Sequence, residues 1–299
     1  MLFRSGVLPL TGVSSVAIVG NLARLKGLKE SLEKMKIDVY QTYGYNPATE
    51  DVANLTERDR NEIKKRNAVI YVVDEKRKVG KTTKLPANRI VLAEELPRLK
   101  KKAIAIALGE RGVDVSPFGE YKGLFVLRGE GKRSGEAFAN ILRGKTSPSG
   151  RVSRSYSCDT DERERLRRRC SVAAGTKEGV FFGYKYDDLS NLKAEYPFGC
   201  GLGYTNVVIS PDTNQASGYL SATIYNKGGI PTYEVLQIYV GKKGSNIVRP
   251  VKEFVCSVKI PIKPKSGARV KIPIFAEDLA VKSKGKYILE NGLYYLFVC

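Results

Sequence analysis

Histidine is absent from this 299-residue sequence, and the absence removes much familiar enzyme chemistry. A Ser-His-Asp triad, a Cys-His dyad and an imidazole general acid cannot be built from this chain alone. Catalysis here would have to rest on carboxylates, Lys, Tyr, Ser or Cys. Cysteine is scarce as well. The five occur at Cys158, Cys170, Cys200, Cys256 and Cys299, with no C-x-x-C pair. Scattered thiolates and carboxylates make a poor zinc site, so no metal and no cofactor are expected. An odd, dispersed set fits the reduced thiols of a cytoplasmic protein, although it does not exclude export. No apolar run reaches the ~18–20 residues of a membrane-spanning helix, and a membrane partner is not expected. Arg4 followed by the apolar stretch Val7 to Val19 has some features of a leader, but Pro9, Thr11, Gly12 and the pair Ser14-Ser15 interrupt it. VSSVAIVG reads better as a first buried strand.

Acidic residues are also in deficit. There are 31 against 51 basic residues, for a net charge of +20. Such a balance raises a nucleic-acid partner for consideration. The charge is spread over the chain, with residues 206–299 holding 13 basic and 6 acidic residues. Its densest run, RERLRRR from Arg163 to Arg169, reads as a solvated face more readily than as a phosphate-binding patch. Nucleic acid is therefore not the expected partner.

What is present is enough for two domains. Length gives that expectation, and 42% hydrophobic residues can supply a core to each. The first half alternates short apolar runs with helical patterns. Val16 to Val19, Ile37 to Tyr40, Ala68 to Val73, Ala103 to Leu108 and Leu124 to Leu127 read as strands. Leu22, Leu25, Leu28, Leu32 and Met35 share a helical face. Thr56 to Lys65, Pro86 to Leu99 and a segment capped by Ser134 and ended by Gly144 read as further helices. This alternation predicts a mostly parallel sheet covered on both faces. Residues 145–206 lose periodicity. Beyond them Tyr219 to Tyr225, Tyr233 to Val240, Val251 to Ile260, Arg269 to Ile274 and Tyr294 to Val298 read as strands separated by Gly- and Pro-rich turns, the pattern of a β-sandwich of about seven strands. The expected fold class is α/β followed by all-β, with domains at 1–206 and 207–299.

A series of short motifs then points to a family. SPSGR at 147–151, after the helix SGEAFANILRG, is similar to the NPSGK motif of family 3 glycoside hydrolases. GVFFGYKYDD at 179–188 is similar to that family's GYRYYD segment, and YPFGCGLGYT at 196–205 to its PFGYGLSYT. YNKGG followed by YEVLQIYV, RPVKEF at 249–254 and the closing ENGLYYLFV continue the resemblance in the family's order. Cys200, Gly203 and Val152-Ser153-Arg154 depart from the usual residues. The resemblance implies the C-terminal α/β sandwich domain and the fibronectin type III-like domain of a β-glucosidase or β-xylosidase type of enzyme, hydrolysing O-glycosyl bonds.

A retaining glycosidase needs two carboxyl groups about 5–5.5 Å apart. In the family, the resemblance implies, the nucleophile sits on an N-terminal (β/α)8 barrel, and no barrel's worth of sequence is present here. The family's acid/base glutamate comes from the loop before a helix opening LPGNQ. Here that helix opens LPANR at 85–89, and the loop VDEKRKVGKTTK offers only Asp74 and Glu75. Glu75 is the acid/base candidate, set against a solvated loop charge. The VGKTT in this loop lacks the first glycine of a P-loop, because Glu75 occupies that position. Three readings follow. The chain works with a separately encoded barrel on a carbohydrate substrate, shaping the sugar pocket through loops at 74–84 and near 181–205. Alternatively it is a non-catalytic module for carbohydrate, polyanion or protein, or it is a gene remnant.

Overall fold

The computed structural model describes residues 2–46, 55–74, 85–109, 114–127, 131–156, 179–191, 193–212, 218–283 and 285–299. They form two compact units, residues 1–150 with 201–204 and residues 151–200 with 205–299.

The first unit is α/β. Strands β1 (Leu2–Ser5), β2 (Ser15–Gly20), β3 (Asp38–Thr42), β4 (Ala68–Asp74), β5 (Ala103–Leu108) and β6 (Gly123–Leu127) form one sheet in the order β1-β6-β5-β4-β2-β3. All neighbours are parallel except β1, which runs antiparallel to β6 at one edge. Helices α1 (Leu28–Lys34), α2 (Glu57–Lys65), α3 (Ala87–Leu99) and α4 (Ser134–Leu142) accompany it. Val16, Ile18, Ile70, Val72, Ile104 and Ile106 share one core cluster with Leu28 and Leu32 of α1 and Phe138 and Leu142 of α4. Strands with helices on both faces bury both sets of side chains, so β4 and β5 are continuous apolar runs without alternation. Each fully buried Val, Ile or Leu contributes roughly 1.5–3 kcal/mol.

Local chemistry sets the helix ends. Thr56 caps α2 in a capping box. Its Oγ1 accepts from the Asp59 N–H at 3.1 Å, and the Asp59 carboxylate accepts from the Thr56 N–H at 2.9 Å. The leucine stripe from Leu22 predicts a longer helix than the structure has. Gly27 takes the left-handed conformation (φ 78°), α1 begins after it, and Leu25 is buried from a turn. The expected Ser134 cap is also corrected. Ser134 is the first helical residue, and its hydroxyl donates instead to the Arg24 carbonyl at 3.1 Å. Gly144 follows the end of α4 at φ 74°, as its position predicts.

The second unit is a β-sandwich. Strands β7 (Val207–Pro211), β8 (Tyr219–Asn226) and β11 (Ser266–Pro273) form one antiparallel sheet. Strands β9 (Thr232–Lys242), β10 (Glu253–Ile262) and β14 (Tyr294–Val298) form the other. Strands β12 (Val281–Ser283) and β13 (Lys286–Ile288) make a separate hairpin. Alternation sends Leu220, Ala222 and Ile224 of β8, Leu236 and Ile238 of β9 and Ile260 and Ile262 of β10 into one core. The YNKGG turn is organised by the fully buried Asn226. Its amide donates to the Ile230 carbonyl at 2.9 Å, and its Oδ1 accepts from the Gly228 N–H at 2.9 Å.

The described residues of 151–200, read above with the α/β domain, group with this second unit. Val152 and Cys200 are joined by backbone hydrogen bonds, N–H of Val152 to O of Cys200 at 2.9 Å and N–H of Gly199 to O of Val152 at 2.8 Å. Tyr156 and Tyr196 exchange a pair at 2.8 and 3.1 Å. Arg151 is ion-paired with Glu234 of β9. The run Arg163 to Arg169 lies outside the described residues.

Candidate functional site

In an open parallel sheet, ligands bind in the crevice outside the carboxyl ends of the strands, where the strand order reverses. Here that place lies between β2 and β4. The helix after β2 belongs to the α1/α4 side. Leu92 and Leu96 of α3, which follows β4, are buried but stand outside the α1/α4 cluster.

Gly20 ends β2 at φ 115°, and a Cβ there would stand 2.0 Å from the Val72 carbonyl oxygen of β4. Only glycine permits that approach. Arg24, in the turn after β2, reaches Asp74 at the end of β4, with Nη1 to Oδ1 at 3.1 Å and both side chains largely buried. Tyr45, after β3, is covered by the Arg89 guanidinium of α3, whose Cζ is 3.7 Å from the ring centroid. Burial pushes the Tyr45 hydroxyl up, and the Arg89 charge opposes that rise. The Tyr71 hydroxyl donates to the Arg89 carbonyl at 3.0 Å, which ties the first turn of α3 to β4.

The sequence placed Asp74 in the loop after β4. The structure makes it the last residue of the strand, and it is engaged by Arg24. Glu75, the acid/base candidate, and the VGKTT run lie outside the described residues. Sequence reasoning missed Arg24, Tyr45 and Arg89. Their sole local signal is the Arg that closes LPANR, where the resembled motif has Gln.

The motif residues of the second unit are clasped together. Glu253 of RPVKEF takes Lys185 of GYKYDD at 3.2 Å and Arg249 at 3.0 Å. The Tyr184 hydroxyl accepts from the Phe254 N–H at 2.7 Å. Gly199 of PFGCGLG, at φ 83°, receives the Gln237 amide on its carbonyl at 2.9 Å, where a Cβ would collide with that side chain. Beside this clasp lies a cavity of about 330 Å³, lined by Tyr184, Asp188, Phe198, Gln237, Tyr239 and Lys252 among others. Among the described residues no group of three His, Cys, Asp or Glu side chains could hold a metal. No helix there is long and apolar enough to cross a membrane.

A doubly wound parallel sheet, an antiparallel edge strand and a following β-sandwich define an α/β C-terminal domain coupled to a fibronectin-like module. The model of the glycosyl hydrolase family 3 C-terminal domain matches residues 3–204, so the chain belongs to that family. The model of the fibronectin type III-like domain matches residues 234–299. Among curated relatives, the β-glucosidase BoGH3A of Bacteroides ovatus is 28% identical over 208 residues, 65% of this chain and 28% of the relative. An exo-α-(1→6)-L-arabinopyranosidase of Bifidobacterium longum is 25% identical over 228 residues, 71% of this chain and 30% of the relative. Among solved structures, a family 3 β-glucosidase of Bifidobacterium adolescentis superposes with a TM-score of 0.84 at 22% identity, covering 99% of this chain and 49% of that one. β-Glucosidase 3B of Thermotoga neapolitana gives 0.82 at 22%, covering 99% and 50%. The chain thus spans about half the length of these solved enzymes and under a third of the curated relatives.

Proposed function

We propose that these two units serve as the C-terminal part of a family 3 β-glycosidase and complete a sugar site with a barrel that is not among the 299 residues. The observation that carries this reading is the match across residues 3–204 to the family's C-terminal domain, on a fold that aligns with half of each solved β-glucosidase. The nucleophile comes from the barrel. The Arg24–Asp74 ion pair holds the carboxyl end of β4 in place, and Glu75, the next residue in sequence, is the acid/base candidate. The 299 residues alone are therefore expected to be inactive, and activity is expected once a barrel is supplied to them. The activities that name the relatives, on β-glucosides and on α-(1→6)-linked L-arabinopyranose, mark the substrate range to search first.

The test is hydrolysis of an aryl β-glycoside panel by the purified chain, alone and mixed with barrel proteins from the same source. Turnover in the mixture that is lost in Glu75→Gln supports the reading, and turnover by the chain alone contradicts it. Neither outcome depends on the charge of the chain, for which the family gives no account.

A further inference from the structure

The second unit carries its charge unevenly. Residues 213–233 and 254–276 contain no Asp or Glu but hold Lys227, Lys259, Lys263, Lys265, Arg269 and Lys271. All six cations are exposed, and the fold gathers them. Pairing of β11 with β8 sets Lys271 opposite Ser221 and Arg269 opposite Thr223, while Leu220, Ala222 and Ile224 point the other way into the core. The β8–β9 and β10–β11 turns meet at one end of this face. There the Lys265 N–H donates to the Gly228 carbonyl at 3.2 Å, and its Nζ donates to the Lys227 carbonyl at 2.7 Å. Lys263 belongs to the same β10–β11 turn. Lys259 extends the strip onto the outer side of β10, where Ile260 and Ile262 are turned inward.

Carboxylates do not balance this strip. Asp212 takes Arg269 at 2.7 Å, and Glu234 of β9 is buried and ion-paired with Arg151. Among the described residues, none of the five lysines has an ion pair. Like charges held together repel, and the folded state bears that cost until a counter-charge arrives. An extended polyanion supplies one along the whole strip. The aromatic rings decide which polyanion fits. Lys271 Nζ stands 4.1 Å from the Tyr219 centroid, and Lys259 Nζ stands 4.9 Å from that of Tyr233. Sites for single-stranded nucleic acid keep aromatic faces open for bases to stack on. Here ammonium groups already stand over the rings, which serve to hold the cations in place. Five of the six cations are Lys, compact point charges rather than the Arg fork that suits phosphates and base edges. Such an array matches carboxylates or sulfates spaced along a sugar chain, which has no bases to place.

We infer that this strip, running from the β8–β11 face around the two turns to β10, binds an acidic polysaccharide through its uronate carboxylates or sulfate groups. The inference does not rest on the glycosidase reading, because it concerns binding and its test reads no turnover.

The probes are labelled polygalacturonate and heparin oligosaccharides, titrated with the full chain and followed by fluorescence anisotropy. A neutral dextran oligosaccharide and an oligo-dT of similar length serve as comparisons. The expected result is saturable binding of an acidic oligosaccharide, tighter than that of either comparison, which weakens about tenfold or more between about 50 and about 200 mM salt. Lys227→Gln, Lys259→Gln, Lys263→Gln, Lys265→Gln and Lys271→Gln, combined in one chain, should weaken it by about tenfold or more with thermal unfolding unchanged. The control combines Lys26→Gln, Lys34→Gln, Lys64→Gln, Lys101→Gln and Lys102→Gln at exposed sites of the first unit. It removes the same charge and should weaken binding by no more than about twofold. Equal losses in the two variants overturn the inference, as does the lack of saturable binding. Oligo-dT or dextran bound as tightly as the acidic sugars overturns it too. If a variant fails to fold, lysine acetylation of the unmodified chain decides. Bound polysaccharide should slow labelling of Lys259, Lys263, Lys265 and Lys271 relative to Lys26 and Lys101, and unchanged labelling contradicts the inference.

Discussion

At the residue scale, the strongest constraints are positions where one side chain or its absence is required. Gly20 combines φ 115° with a backbone oxygen 2.0 Å from any added Cβ, so no rotamer change relieves the clash. Gly20→Ala is expected to destabilise the α/β unit by about 3 kcal/mol or more, read as a lower urea midpoint at unchanged slope. Tyr40 is a second case. Burial first, and then its hydrogen bond to Asp59, push its hydroxyl up from 10 to about 12. The folded state therefore holds a proton that the unfolded chain releases between these values. This contribution is complete below pH 10 and is lost as pH rises towards 12. Asp59 works in the opposite direction. Burial raises its carboxyl, but hydrogen bonds from Tyr40 and Thr56 hold it below the usual range. Its contribution is present above the ordinary carboxylate value and disappears as pH falls through the folded one. Tyr40→Phe should flatten the alkaline loss and raise the Asp59 titration, measurable by denaturation midpoints against pH and by carboxyl-carbon NMR.

At the scale of elements, strands were the most legible part of the sequence. A β-branched run marked β4, a continuous apolar run marked β5, and turn residues separated the sandwich strands. β1 and the β12–β13 hairpin carry no such pattern, whereas β7 carries a short one, Val207-Val208-Ile209, which the expected strands do not include. β1 is four residues long and takes its place from pairing with β6, far away in sequence. The over-long first helix shows the same limit: leucines at helical spacing also pack from a turn, and Gly27 decides where the helix starts. The motif resemblance was legible as a list of short strings. The structure supplies its physical content, because GYKYDD and RPVKEF are parts of one clasp and Val152, the residue after SPSGR, pairs with Gly199 and Cys200 of PFGCGLG. Arg249 is the centre of that clasp, with its side chain only 3% exposed beside Glu253. Arg249→Met should cost about 2 kcal/mol by leaving the Glu253 carboxylate with Lys185 as its remaining cation, and Arg249→Met with Glu253→Met should cost less than the sum of the single changes. A double-mutant cycle on urea unfolding measures both. The Arg24–Asp74 pair and the Tyr45–Arg89 stack were invisible beforehand, since each joins residues brought together by the strand order.

At the scale of the whole molecule, composition excluded imidazole chemistry at once, and the two-part architecture followed from the change of pattern after residue 206. The boundary behaves differently in space than in sequence, because residues 151–200 belong to the sandwich unit while 201–204 return to the α/β unit. Leu202 donates its N–H to the Leu2 carbonyl at 2.8 Å, and the Tyr204 N–H reaches Ser147 Oγ at 3.0 Å. The chain crosses between units more than once, which no linear division could express.

We propose that these residues supply the non-barrel part of a glycosidase. The most direct measurement is aryl β-glycoside hydrolysis by the chain, by a barrel protein and by their mixture, with each at a concentration that permits association. Activity in the mixture alone is the predicted result. Hydrolysis by the unmixed chain, at a rate unaffected by removing any copurifying barrel, would contradict the account and require a nucleophile among its own carboxylates.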